Sequence, residues 1–331
     1  MNTIKTAVIG VGHLGRHHLN WLSKLEQSEL IGLYDIDGEK AKKHANDHQI
    51  TAFGSLIELI DGVEAVSIVV PTTAHCAVAS QCIEAGRHCL VEKPVTATLD
   101  EANALVRLAA AHDVKVTVGQ IERFNPAVRA LSEYDIRPSF IEAHRLAAFD
   151  PRGTDVAVVL DLMIHDIDLA LSFVDSPVED IQASAVAIVS EQADIANARL
   201  TFKNGAVANL TASRISLTAM RKLRFFQQSG YFSLDLASKQ ADTYQLAEGN
   251  SEGEGLRLPL GKSGKDIIYN KRVDDGKDML GLELGSFLDA IIHNRPVAVT
   301  LEEAAESLRV ALDVERIGLE SLKRVTESAQ A

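Results

Sequence analysis

The chain has 331 residues, about twice the usual domain length, which predicts two domains and ample material for a core. Its composition, 46% hydrophobic and 24% charged, is that of an ordinary soluble globular protein, and no apolar run reaches the roughly 18 residues of a membrane span. The net charge of −13 argues against a nucleic-acid partner, which needs a basic face, while local basic patches stay compatible with an anionic small molecule.

Met1 to Lys5 leads directly into a strand pattern with no visible signal or transit peptide, so a cytoplasmic location is expected. The segment 5–11 reads as a buried strand, 13–25 as a helix and 29–35 as a second strand, one βαβ unit. The alternation continues with strands at 65–70, 88–91 and 114–118 and helices at 75–86 and 99–112. That grammar predicts a parallel, doubly wound Rossmann sheet over residues 1–120. Beyond it, 180–190, 197–203, 206–215, 221–228 and 231–236 read as strands, with Asn204-Gly205 and Ser229-Gly230 as turn signals. Residues 121–331 are therefore expected to form an α+β domain with an open, mainly antiparallel sheet. The Gly-rich, charged stretch 248–266 reads as a long loop, and helices near 278–293 and 301–325 finish the chain. Cys76, Cys82 and Cys89 lack the paired spacing of a zinc or redox motif, so reduced thiols and no metal are expected.

Gly10-Val11-Gly12-His13-Leu14-Gly15 follows the first strand and opens the first helix. Glycines there allow a tight turn and close backbone approach, and the helix N-terminus offers N–H groups and a positive dipole end to a pyrophosphate. Asp35 ends the second strand, where an acid can accept hydrogen bonds from an adenosine ribose. Together they predict NAD as cofactor, held by Gly10, Gly12, His13, Leu14, Gly15 and Asp35.

Glu92-Lys93-Pro94 follows a later strand, at the carboxyl end where ligands bind in open α/β sheets. Lys93 there reads equally as a cleft cation or as a surface charge paired with Glu92. A third feature is the apolar run 156–174, which carries Asp161, His165 and Asp168 at i, i+4 and i+7. At about 100° per residue these fall on one stripe, while Leu160, Met163, Ile164, Ile167 and Leu171 take the rest of the surface. Such a stripe needs water, a partner cation or a cleft, because an unpaired buried carboxylate costs several kcal/mol.

With these motifs in place, the chain resembles the glucose-fructose oxidoreductase, inositol dehydrogenase and rhizopine-catabolism (Gfo/Idh/MocA) family of nicotinamide oxidoreductases. The resemblance covers nearly the whole length. It rests on the glycine loop at 10–15, Val70-Pro71-Thr72 with His75, Glu92-Lys93-Pro94, Asp161-x-x-x-His165 with Asp168, and the closing Arg295-Pro296-Val297 to Glu302-Glu303-Ala304. It implies that Pro71, Thr72, His75, Glu92 and Lys93 also meet the cofactor, that Lys93-Pro94 is cis, and that Lys93, Asp161 and His165 are catalytic, with His165 taking the hydroxyl proton. It also implies that the polar stripe faces a cleft between the two domains. One departure is that Arg152-Gly153-Thr154-Asp155-Val156 replaces the glycine-rich entry usual before the D-x-x-x-H helix. Asp168 reads as a structural acid as readily as a catalytic one.

Within the family, the segment 119–126 (GQIERFNP) and the Asp161 to Asp168 form resemble the branch that oxidises the 3-hydroxyl of UDP-N-acetylhexosamines or their uronates. Arginine suits bidentate phosphate recognition, and Arg123, Arg145, Arg152, Arg214, Arg221 and Arg224 stand on segments expected to line or abut the cleft. The expected substrate set is Lys93, Arg123, Asn125, Arg145, Arg152, Asp161, His165 and Arg214. A free polyol or sugar dehydrogenase, an NAD-dependent glycosidase and a non-catalytic nucleotide sensor are the alternatives. A large antiparallel sheet also predicts a homodimer or homotetramer.

A 2′-phosphate beside Asp35 would put like charges roughly 4 Å apart, costing about 4 kcal/mol at an effective dielectric of 20. NAD is therefore expected to be used in strong preference to NADP. Steady-state kinetics with both cofactors check this, and equal kcat/KM values would remove Asp35 from its role.

Overall fold

The computed structural model describes residues 3–149, 156–190, 192–248, 255–261 and 265–330. The chain begins with β1 (Ile4–Ile9), α1 (Gly15–Leu22), β2 (Ser28–Tyr34), α2 (Gly38–His48), β3 (Thr51–Ala52), α3 (Leu56–Gly62) and β4 (Ala65–Ile68). There follow α4 (Thr72–Glu84), β5 (His88–Glu92), α5 (Leu99–His112), β6 (Val116–Gly119), α6 (Pro126–Arg129) and β7 (Phe140–Leu146). A π-helical turn, Val159–Met163, then runs into α7 (Ile164–Val174). Next come β8 (Val178–Val186), β9 (Ile195–Phe202), β10 (Val207–Ser213), β11 (Met220–Gln227) and β12 (Gly230–Asp235). The last elements are β13 (Gln240–Glu248), β14 (Leu256–Pro259), β15 (Lys265–Arg272), α8 (Met279–Ile292) and α9 (Leu301–Gln330). These form two compact units, Met1–Phe124 with Lys277–Leu308, and Asn125–Gly276 with Arg309–Ala331.

The first unit holds a parallel sheet in the order β3-β2-β1-β4-β5-β6. β4 and β6 are buried at every position, as expected of strands covered by helices on both faces. The chain reverses direction across the sheet between β1 and β4, so the loops after β1, β4 and β5 all emerge at the carboxyl edge beside that switch point. A break near residue 120 was expected, and the units divide close by, after Phe124. The return of Lys277–Leu308 to this unit had no local signal in the sequence. It is driven by burial of Leu284, Phe287 and Leu288 of α8 with Leu19 and Leu22 of α1. Gly281 makes the contact possible, because a Cβ there would stand 2.8 Å from the Trp21 ring.

The second unit carries a nine-stranded sheet in the order β14-β15-β13-β12-β11-β7-β10-β9-β8. Every pairing in it is antiparallel except β7 with β10. Period-2 alternation puts Leu223, Phe225, Phe232, Leu234 and Ala241 into the core. On the opposite face Phe140, Phe226, Tyr231, Tyr244 and Tyr269 form a ladder across five strands, with ring centroids 5.5, 4.8, 5.2 and 5.1 Å apart in turn. Sequence reading missed β7, β13, β14 and β15, whose stability comes from long-range pairing. Leu256–Pro259, inside the expected loop at 248–266, is paired with β15. Residues 249–254 and 262–264 of that loop lie outside the described residues.

Asp194 staples the turn between β8 and β9. Its carboxylate accepts the N–H groups of Ile188 and Val189 at 2.7 Å, the N–H of Ser190 at 3.1 Å and the Ser190 hydroxyl at 2.7 Å. Burial alone would push this carboxyl up, but the converging donors hold it at about 2. A depressed carboxyl contributes stability that is present above its unfolded pKa and lost as pH falls through the folded value. Asp194→Asn is expected to cost about 2 kcal/mol near neutrality and to flatten the loss of stability below about pH 4. Urea unfolding as a function of pH measures both effects.

Candidate active site

The first unit supplies a phosphate cradle at the carboxyl edge of its sheet. Gly10 has φ +90°, and a Cβ there would lie 2.5 Å from the Val69 carbonyl oxygen. A Cβ on Gly15 would lie 2.0 Å from the Gly10 carbonyl oxygen, so this glycine lets α1 close on the loop. Gly12 differs, since a Cβ there meets nothing within 4 Å and opens on free space. No side chain caps α1, which leaves its N-terminus directed at the loop. Asp35 accepts the Val11 N–H at 2.8 Å and the Asp37 N–H at 2.9 Å, so its carboxylate is fixed beside the cradle with lone pairs remaining for a ribose. An open backbone cradle, an uncapped helix end and an adjacent carboxylate fit the adenosine diphosphate half of NAD. His13 is exposed, 3.2 Å from Arg16 through its ring nitrogen, and Leu14 is exposed as well.

The Lys93-Pro94 bond is cis, as the resemblance implies. His75, in the first turn of α4, is buried with Nδ1 2.9 Å from the Pro94 carbonyl and Nε2 2.9 Å from the Val70 carbonyl. The ring thus bridges the Val70 carbonyl before Pro71-Thr72 and the carbonyl of the Lys93-Pro94 turn. Behind the turn runs a chain that sequence reading missed. Ser67 Oγ lies 2.7 Å from His18 Nδ1, His18 Nε2 lies 3.0 Å from Glu92 Oε1, and Glu92 Oε2 accepts the Lys93 N–H at 3.2 Å. The signal for His18 was a polar residue on the apolar face of α1, beside Leu19 and Leu22. Arg123 is half-buried and ion-paired to Glu303 at 3.0 Å, which sets the entry of α9. Burial would raise the Glu303 carboxyl, but the Thr300 N–H and Arg123 hold it below its usual range.

In the second unit, Asp161 lies in the π-helical turn while His165 and Asp168 lie in α7. The expected single stripe assumed one α-helical period. Asp161 and His165 are half-buried whereas Asp168 is 1% exposed, so the three do not share one environment. Asp166, on another side of α7, forms a buried bidentate pair with Arg145, Nε to Oδ2 at 3.0 Å and Nη2 to Oδ1 at 2.8 Å. The Arg145 fork, assigned above to a phosphate, is occupied by this carboxylate. Arg214 is buried too and donates to the Val156 carbonyl. Asn125 caps α6 by accepting the Ala127 N–H at 3.1 Å and donates to the Leu236 carbonyl at 3.0 Å. Arg152 lies outside the described residues. The three cysteines are free thiols, and the described residues contain no group of three or more metal-ligating side chains.

A glycine cradle at the switch point of a parallel sheet, paired with a strand-end acid, defines a dinucleotide-binding domain. Residues 4–120 match the model of an oxidoreductase family with an NAD-binding Rossmann fold, and residues 127–232 match the GFO/IDH/MocA C-terminal domain. The UDP-N-acetylglucosamine 3-dehydrogenase of Acidithiobacillus ferrooxidans is 39% identical over 96% of this chain and 98% of its own. A solved structure of that dehydrogenase, GnnA, superposes with a TM-score of 0.87 at 36% identity, covering 97% of this chain and 99% of that one. A myo-inositol 2-dehydrogenase of Thermotoga maritima is 25% identical over 64% of this chain and 69% of its own. The chain belongs to the Gfo/Idh/MocA family of oxidoreductases and is an NAD-dependent dehydrogenase.

The three loop glycines are expected to separate on substitution. Gly12→Ala has room in the fold and should leave Tm nearly unchanged while weakening NAD binding, because the new methyl occupies the cradle. Gly10→Ala and Gly15→Ala should lower Tm, since their Cβ atoms collide with backbone. Thermal melts with and without NAD distinguish the two classes, and a Gly12→Ala protein with unchanged NAD affinity would place the pyrophosphate elsewhere.

Proposed function

We propose that this enzyme oxidises the 3-hydroxyl of a UDP-N-acetylhexosamine or its uronate, with NAD as acceptor. The observation that carries the reading is 39% identity to a UDP-N-acetylglucosamine 3-dehydrogenase along almost all of both chains. Identity spread through both family domains supports a shared substrate class, because the second domain of such an enzyme reads the substrate. Bound NAD would supply the acceptor for the hydride leaving the substrate carbon. His165 takes the hydroxyl proton as general base. Asp161 orients His165 or holds a neighbouring hydroxyl. Lys93 donates to the oxygen as alkoxide character develops, help that is confined to the transition state.

The residues proposed to hold NAD are Gly10, Gly12, Gly15, Asp35, Pro71 and Thr72. Arg152, seven residues before the π turn in sequence, is the proposed diphosphate handle. Arg145 and Arg214 act behind it, as buried cations that position α7 and its entry. The proposed assembly is a homodimer through the sheet face that carries the aromatic ladder, acting in the cytoplasm. Among the described residues no helix is long and apolar enough to cross a membrane.

The test is incubation of the pure protein with NAD and a panel of UDP-sugars, free sugars and polyols, following reduced-cofactor absorbance and product mass. A UDP-N-acetylhexosamine is expected to be the best substrate, with a 3-keto product. Lys93→Ala and His165→Asn should each lower kcat by roughly 10²-fold or more, the lower end of acid–base contributions. Arg152→Ala should raise KM for the UDP-sugar by roughly ten- to a hundredfold, with a smaller effect on kcat. A free sugar or polyol turned over better than any UDP-sugar would overturn the substrate assignment. Near-normal turnover in either catalytic variant would make that residue structural.

A further inference from the structure

The turn between β8 and β9 is held more firmly than its own packing calls for. The side chains of Ile188 and Val189 there are 58% and 55% exposed, so they add little to the core. Yet the Asp194 carboxylate, fully buried, accepts the N–H groups of Ile188, Val189 and Ser190 and the Ser190 hydroxyl. The Asp194 N–H in turn donates to the Val186 carbonyl at 2.9 Å. Converging hydrogen bonds to a charged group are the strong ones, and together they restrict the turn to one shape. What that shape fixes is the peptide at its end.

The carbonyls of Ala193 and Asp194 both accept from groups at or near the entry of the helix that carries Asp161 and His165. The Ala193 carbonyl accepts the Val158 N–H at 3.2 Å, and the Asp194 carbonyl accepts the Arg214 N–H at 3.0 Å. The buried Arg214 guanidinium then donates to the Val156 carbonyl. On the other side, the Ala157 carbonyl accepts the Asp161 N–H at 3.1 Å. The first N–H groups of a helix have no partner within it, and no side chain caps this helix at Val158. The Ala193 carbonyl supplies a partner from outside. Val156, Ala157 and Val158 are thus tied to the β8–β9 turn on one side and to Asp161 on the other.

We infer that Asp194 is a positioning residue for the reaction: by fixing the β8–β9 turn it places the Ala193 carbonyl that receives the Val158 N–H, and so sets where Asp161 and His165 stand. The inference rests on the reading that gives Asp161 and His165 the chemistry, and it extends that reading to what holds them. Every group in this chain of bonds belongs to the second unit, whereas the glycine cradle belongs to the first. Loosening the turn therefore affects the chemical step and leaves NAD affinity alone.

Asp194→Asn and Asp194→Ala separate positioning from stability. Asparagine keeps an oxygen for the three N–H groups, and its amide can donate to the Ser190 hydroxyl, whose own proton goes to the Gln192 carbonyl, 3.0 Å away. It loses the charge and hence stability, but keeps the shape. With a UDP-N-acetylhexosamine, kcat should fall roughly ten- to a hundredfold in Asp194→Ala and by less than about threefold in Asp194→Asn. The dissociation constant of NADH, read by fluorescence titration, should be unchanged in both. Val158→Pro cuts the link from the other end: φ −56° at Val158 suits proline, and the substitution removes the N–H that Ala193 receives. It should lower kcat about as much as Asp194→Ala, and the double variant should be little worse than either single one. If Asp194→Ala does not fold, Ser190→Ala, which removes one of the four donors, replaces it in this cycle. Hydrogen exchange followed by mass spectrometry needs no substrate. Asp194→Ala should speed exchange over 156–163 by roughly tenfold or more while Asp194→Asn leaves it unchanged. The inference is overturned by losses that multiply in the double variant, by kcat falling in step with Tm in both Asp194 variants, or by faster exchange confined to 187–194. Failure to turn over UDP-sugars would sink the substrate assignment and leave the exchange result standing.

Discussion

The close approach of Gly15 to the Gly10 carbonyl is the contact on which the first unit depends. Only a residue without a Cβ lets α1 begin this near the end of β1. Once α1 is held there, His18 on its buried face points at Ser67 on β4 and at Glu92 at the end of β5. Glu92 then holds the Lys93 N–H, and His75 clamps the following proline carbonyl to the start of α4. The loop that would cradle a pyrophosphate and the turn that presents Lys93 are therefore fixed by one helix placement. A shift of α1 by a fraction of an ångström would reach both, which is how the glycine loop and the Lys93 turn on different strands stay in register.

Much of this was legible because it follows local rules. The alternation of buried strands with helices, the glycine spacing and the acid at the end of β2 are signals within a few residues, and the parallel sheet and its cradle follow from them. The extent of the second sheet was less legible. β7 (FIEAHRL) carries a glutamate, a histidine and an arginine among its seven residues, and only the flanking β10 and β11 make it a central strand. The recruitment of α8 to the first unit depends on Gly281 meeting Trp21, a pairing across 260 positions that no window of sequence contains.

The same limit explains the arginines. Arg145 is expected from the sequence to bind phosphate because arginine suits bidentate phosphate recognition and its segment is expected to abut the cleft. Its partner is Asp166, beside His165, and the pair is bidentate with both side chains only 4% exposed. Breaking such a pair by removing one partner typically costs about 3–5 kcal/mol, since it strands a buried charge. Asp166 is equally hard to assign from sequence, because the D-x-x-x-H-D-x-D run offers three carboxylates within eight residues and periodicity alone does not say which face inward. Packing decides, by placing Asp166 against β7.

The π turn explains how one short helix meets two opposed demands. Asp166 and Asp168 must go inward, where Asp166 ties α7 to the sheet, while Asp161 and His165 must keep part of their surface outside the core. A continuous α-helix would hold Asp161 and Asp168 near one stripe and give them similar exposure. The turn Val159–Met163 departs from that regular spacing, and Asp161 is half-buried while Asp168 is fully buried. Single π turns are uncommon and recur at functional sites because they re-aim a side chain at the expense of regular hydrogen bonding. Here the re-aimed residue is the aspartate of the D-x-x-x-H pair. The distortion at that position, with regular helix on its C-terminal side, takes Asp161 out of the repeat that packs α7 against the sheet.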